Sequence, residues 1–166
     1  MSLKQMHTYT YTHIHIHVIP KELVAKGKVE EAGQQGERLG EAMQAVLVET
    51  HTLRLKLLRQ LLKLFAVQQI WSKVVETSDS LAGKLEAVFD KERLRSDLRY
   101  AHCLVQGARA RAKLARSFTG QAAAIEREAA HRASRKALMV YATVLGSSHW
   151  FVGQLKSELQ ALAPAK

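Results

Sequence analysis

Two spacings of apolar residues divide the chain near Pro20. Before it, Thr8-Tyr9-Thr10-Tyr11-Thr12-His13-Ile14-His15-Ile16-His17-Val18-Ile19 alternates with a period of two and is rich in β-formers. That pattern predicts one strand ending at the proline. A lone strand leaves its backbone groups unpaired, so its partner would be a second copy or another chain. Beyond Pro20 the spacing lengthens to that of a helix. Leu138, Tyr141, Leu145, Val152, Leu155, Leu159 and Leu162 follow a heptad seam interrupted at Ser148. A repeat near 3.5 residues is the signature of coiled-coil-like packing.

Punctuation between these seams sets the expected elements. Gly27, Gly33, Gly36 and Gly40 fall in residues 21–40, and each weakens a helix by ~1 kcal/mol, which predicts a connector with a short helix. From Glu41 the glycines stop, and a first long helix is expected over about 41–76. Thr77-Ser78-Asp79-Ser80 has turn and N-cap chemistry. A second helix is expected over about 81–117 and a third, after Thr119-Gly120, over about 121–162. Each would be about 50–60 Å long, and short links between equal helices predict an elongated antiparallel three-helix bundle. Up-down-up order would set Trp71 and Trp150 in neighbouring layers. The expected fold class is mainly all-α, with residues 1–20 as an extended arm or strand.

Composition strengthens the helical reading. The only prolines are Pro20 and Pro164, and 47% of residues are apolar, too many for a disordered chain. Good helix formers dominate the stretch between the prolines. The single Cys103 excludes an internal disulfide and fits a small core residue among Ala101, Leu104 and Val105. No apolar run reaches the ~18–20 residues of a transmembrane helix, and the polar N-terminus lacks a secretory h-region, so cytoplasmic residence is expected.

Charge changes the functional picture more than the fold. Twenty-five Lys and Arg against 15 Asp and Glu give a formal charge of +10, which favours an acidic protein, an anionic membrane or nucleic acid. Arg95, Arg99, His102, Gln106, Arg109, Lys113 and Arg116 step by alternating fours and threes, one polar face of a helix about 30 Å long. Leu94, Leu98, Ala101, Val105, Ala108, Ala112 and Ala115 make the adjoining apolar seam. No acid occurs between Asp97 and Glu126, so the stripe lacks a local counter-charge. Leu53 to Phe65 sets Lys56, Arg59, Gln60 and Lys63 on a narrow polar face opposite many leucines. That composition suits a membrane-surface helix in isolation and a core helix within a bundle, and core is the preferred reading.

The N-terminal segment carries two resemblances. His13-Ile14-His15-Ile16-His17-Val18-Ile19 resembles the histidine-triad signature of nucleotide hydrolases and transferases. Over those seven residues the resemblance implies His15 as nucleophile. A strand followed by Pro20-Lys21-Glu22-Leu23, a glycine at Gly36 and a helix resembles the ribbon-helix-helix family of DNA-binding dimers, over about residues 8 to 48. This resemblance implies paired strands in the major groove, with Thr10, Thr12, His13 and His15 facing bases. His13, His15 and His17 also share one strand face at about 6–7 Å spacing, enough for adventitious metal binding but with no Cys, Asp or Glu to complete a site.

No phosphate loop, carboxylate pair or nucleophile with its base stands at diagnostic spacing. The expectation is a non-enzymatic helical interaction or assembly protein without cofactor. It would be a homo-oligomer or one subunit of a larger assembly, binding an acidic protein or nucleic acid through Arg95, Arg99, Arg109, Lys113 and Arg116. A DNA-binding regulator using the strand is the alternative, and a nucleotide hydrolase the third reading.

Overall fold

The computed structural model describes residues 23, 25–48 and 51–162. They are mostly helical, with no strand among them. The strand expected over residues 8–19, and with it His13, His15 and His17, lies outside the described residues. Seven helices follow one another among residues 29–162 of the described part: α1 Val29–Val46, α2 Thr52–Val67, α3 Trp71–Val88, α4 Lys91–Leu94, α5 Leu98–Ser117, α6 Gly120–Leu145 and α7 Trp150–Leu162. Contacts divide the chain after Gln68 into two compact units. The three long helices expected over 41–162 are thus broken into shorter ones.

The first unit is an antiparallel hairpin of α1 and α2. Its glycines correct the expectation of a connector over 21–40. Gly33, Gly36 and Gly40 lie inside α1 and, spaced by three and four, share one face. A Cβ on Gly33 would stand 3.2 Å from the Gln68 amide, on Gly36 2.6 Å from Leu61 Cδ2, and on Gly40 3.6 Å from Leu57 Cδ2. The helix forms despite its glycines because their missing side chains let α2 approach. Gln68 Nε2 closes the open end by donating to the Val29 carbonyl at 2.8 Å. At the turn, Arg54 donates to the Leu47 carbonyl at 3.1 Å and His51 Nδ1 accepts from the Leu53 amide. Along α2, Leu53, Leu55, Leu57, Leu61, Leu62, Leu64 and Phe65 are buried while Lys56 and Lys63 are exposed, so the leucine-rich segment is core.

In the second unit the packed pairs α3 with α5, α5 with α6 and α6 with α7 carry the structure. Ser78 meets Cys103 and Glu86 meets Tyr100, so α3 and α5 run antiparallel. The two-residue link Phe118–Thr119 and the ion pair of Arg111 with Glu126 reverse the chain from α5 into α6. Gly146, at φ 88°, reverses it again into α7, where Phe151 packs edge-on against Tyr141 with ring centres 4.8 Å apart.

Four sequence expectations are corrected here. Thr77-Ser78-Asp79-Ser80 forms no turn but the middle of α3, with Thr77 and Ser78 buried. Ser78 does not cap its own helix: its hydroxyl donates to the Cys103 carbonyl at 2.9 Å, and Cys103 Sγ donates back to the Ser78 carbonyl at 3.0 Å. In place of one helix over 41–76, α1 ends at Val46, α2 runs Thr52–Val67 and α3 begins at Trp71, after Gln69 takes φ 59°. The helix expected over 81–117 breaks twice, and each new helix starts on an aspartate cap. Asp90 accepts from the Arg93 amide, and Asp97 accepts from the amides of Arg99 and Tyr100. The helix expected over 121–162 breaks at 146–149.

Candidate binding face

The stripe residues of α5 lie on its outward side. His102, Lys113 and Arg116 are exposed, Gln106 and Arg109 half-buried, while Ala101, Val105, Ala108 and Ala115 behind them are buried. Burial of that seam fixes the helix's rotation, and the stripe faces outward as a consequence. Leu98, at the start of the same seam, stays 38% exposed.

The acid-free sequence does not remain acid-free in space. Arg95 lies beyond α5, at the end of α4, and pairs with Glu92 at 3.1 Å. Arg99 is held by Asp97, its Nε donating to Oδ1 at 2.9 Å. That contact, and the two amides Asp97 caps, hold its carboxyl below the usual range despite its burial. Arg99 and Arg93 also flank the Phe89 ring, with guanidinium carbons 5.6 and 4.3 Å from its centre. Arg109 makes a bidentate pair with Glu158 of α7, Nε to Oε2 at 2.9 Å and Nη2 to Oε1 at 2.7 Å. Gln154 donates to the same carboxylate at 3.0 Å. The Arg109 contact outweighs burial and lowers the Glu158 pKa. Lys113 and Arg116 are different: among the described residues neither has an ion pair.

Two arginines that the stripe omits complete the picture. Arg111 lies on the core side of α5, following Leu104 and Ala108 at seam spacing, and that position was the available signal of a buried ion pair. Its guanidinium bridges Asp79 of α3 and Glu126 of α6, the latter at 2.9 Å, with only 17% of its side chain exposed. Asp79 is still pushed above the usual carboxylate range, because desolvation, together with the charge of Glu126, outweighs the attraction of Arg111. Arg127 of α6 is exposed and, like Lys113 and Arg116, has no ion pair among the described residues. It lies two heptads before Tyr141, on the same face of α6.

Arg109 and Tyr141 both face α7, through Glu158 and Phe151. Lys113 and Arg116 extend the face of Arg109 by four and seven residues, and Arg127 extends that of Tyr141. The three cations therefore converge on the α7 side of the α5–α6 hairpin, near its closed end. Phe118 forms that end and is 42% exposed. Residues 98–125 contain no acid at all.

Elsewhere the described residues hold no group of three or more His, Cys, Asp or Glu able to bind a metal ion. No helix among them is long and apolar enough to cross a membrane. The chain matches no protein-family model and no curated protein sequence.

Proposed function

We propose that this chain is a non-enzymatic helical interaction protein that binds an acidic partner through the outward face of α5. In this reading α3, α5 and α6 are an antiparallel three-helix frame, and the protein works in the cytoplasm as an oligomer or as part of a larger assembly. One observation carries the proposal. Among the described residues Lys113 and Arg116 stand exposed and without an ion pair, while Arg95, Arg99 and Arg109 of the same stripe are each paired with a carboxylate. Uncompensated cations side by side repel one another, and an incoming anion relieves that repulsion. Arg95, Arg99 and Arg109 serve the fold first, through Glu92, Asp97 and Glu158, so the binding role centres on Lys113 and Arg116.

The test is co-purification of the full chain at low and high salt, with Lys113→Glu/Arg116→Glu alongside. Neither side chain supports the fold, so the double variant should keep its stability to within about 0.5 kcal/mol. Its captured partner should be lost at low salt, and high salt should strip the same partner from the parent protein. A partner retained by the folded double variant would overturn the assignment.

A further inference from the structure

The geometry points to single-stranded nucleic acid as the partner, held at the closed end of the α5–α6 hairpin with Phe118 stacked on an unpaired base. This deepens the reading of an acidic partner and rests on it. At 1.5 Å per residue, Lys113, Arg116 and Arg127 all lie within about 12 Å of the hairpin end along the helix axes. They converge from two helices onto one side, a spread that a phosphate backbone can follow from cation to cation. Phe118 sits between the helices that carry them, half out of the fold, where the chain leaves α5 in extended conformation.

What surrounds these residues separates nucleic acid from an acidic protein. A protein interface needs an apolar core of several side chains, and the exposed large apolar side chains at this tip among the described residues are Phe118 and Ile125, the latter on the far side of α6 from Arg127. The other neighbours of Phe118 are Ser117, Thr119 and Gln121, which offer hydrogen bonds and no charge. Glu158 on this side is already neutralised by Arg109, and Glu126 and Glu128, which flank Arg127 in the sequence, are paired with Arg111 and Arg132, so none of the three faces phosphate as an unpaired anion. Cations flanking an exposed aromatic ring is the pairing that binds bases without reading their sequence. A duplex hides the faces of its bases, so a ring at a hairpin tip gains nothing from it by stacking. Unpaired strands are therefore preferred.

Fluorescence anisotropy on the full chain provides the test. The probes are a labelled oligothymidylate, the same phosphodiester without bases, the matching duplex, and polyglutamate of equal charge. Oligothymidylate should bind at least about fivefold tighter than the abasic strand, the lower end of what one stacked base contributes. Phe118→Ala should lose that margin and Phe118→Tyr should keep it. Lys113→Gln/Arg116→Gln should flatten the salt dependence by roughly 0.7 in logarithmic slope for each phosphate contact removed. Equal binding of abasic and base-bearing strands, or tighter binding of the duplex, would overturn the single-strand assignment and leave the acidic-partner reading standing. Polyglutamate binding tighter than oligothymidylate would point to an acidic protein instead. Failure of every polyanion to bind would remove both readings.

Discussion

Gly107 shows how a single side chain can be excluded by its neighbour. A Cβ there would stand 2.3 Å from Ser78 Oγ and 3.0 Å from Ser78 Cβ. Neither atom can retreat cheaply, because Ser78 is 2% exposed and its hydroxyl is spent on the Cys103 carbonyl. Alanine would gain about 1 kcal/mol of helix propensity over glycine, but overpacking of this kind costs about 1–3 kcal/mol. Gly107→Ala should therefore lower the urea midpoint. Adding Ser78→Gly should restore part of the loss, since it removes both clashing atoms. A Gly107→Ala protein as stable as its parent would show that the two helices can separate freely.

Between elements, the three glycines of α1 make a graded contact with α2, and the gradation is testable. Gly40→Ala meets Leu57 at ordinary van der Waals distance and should raise stability by up to about 1 kcal/mol through helix propensity. Gly36→Leu has no room beside buried Leu61 and should lose about 1–3 kcal/mol. Thermal unfolding followed by circular dichroism distinguishes the two, and equal shifts would mean that the face is not tightly packed. The same glycines mark where sequence reasoning stops. Their spacing of three and four was visible, but propensity alone read it as weakness, because the benefit lies in a helix that propensity does not see. Thr77-Ser78-Asp79-Ser80 misled for a related reason: Val74, Leu81 and Leu85 are buried on either side, and that burial overrides weak helix formers. Other breaks were legible and went unread. Asp90 and Asp97 are ordinary N-cap residues, and Gly146 begins a Gly-Ser-Ser-His run. The left-handed Gln69 carried no comparable signal. For the candidate binding face, the outward stripe of α5 was readable from its period, whereas its counter-charges come from Asp97 at the cap and from Glu158 of α7.

At the scale of the molecule these counter-charges make stability depend on acidity. Glu158 and Asp97 titrate below their ordinary values in the folded chain, held down by Arg109 and Arg99. The unfolded chain therefore takes up these protons first as the pH falls, so acid favours unfolding. Their contribution is complete above the ordinary carboxylate values of 4.5 and 3.8 and is lost as pH falls through the folded ones. Asp79 works in the opposite direction, because burial raises its pKa and the folded chain protonates first. Urea midpoints measured from neutral pH to about pH 3 should fall, and Glu158→Gln should fall less steeply than the parent. Asp79→Asn should fall more steeply. A Glu158→Gln profile parallel to that of the parent would show that the Arg109 pair contributes nothing to folding.

The bridge at Arg111 constrains how this protein can evolve. It ties three helices together, but its members are not equally shielded: Arg111 and Glu126 are largely covered, whereas the Asp79 side chain is 58% exposed. Losing the arginine strands the Glu126 carboxylate, and losing Glu126 leaves a largely buried guanidinium short of a partner, while water can replace Arg111 at Asp79. Arg111 and Glu126 should therefore travel together through any lineage of this chain, kept as a pair or replaced as a pair by apolar residues. Arg116, a few residues along the same helix, has no ion pair among the described residues, so the fold leaves it free and only the proposed binding role would hold it in place.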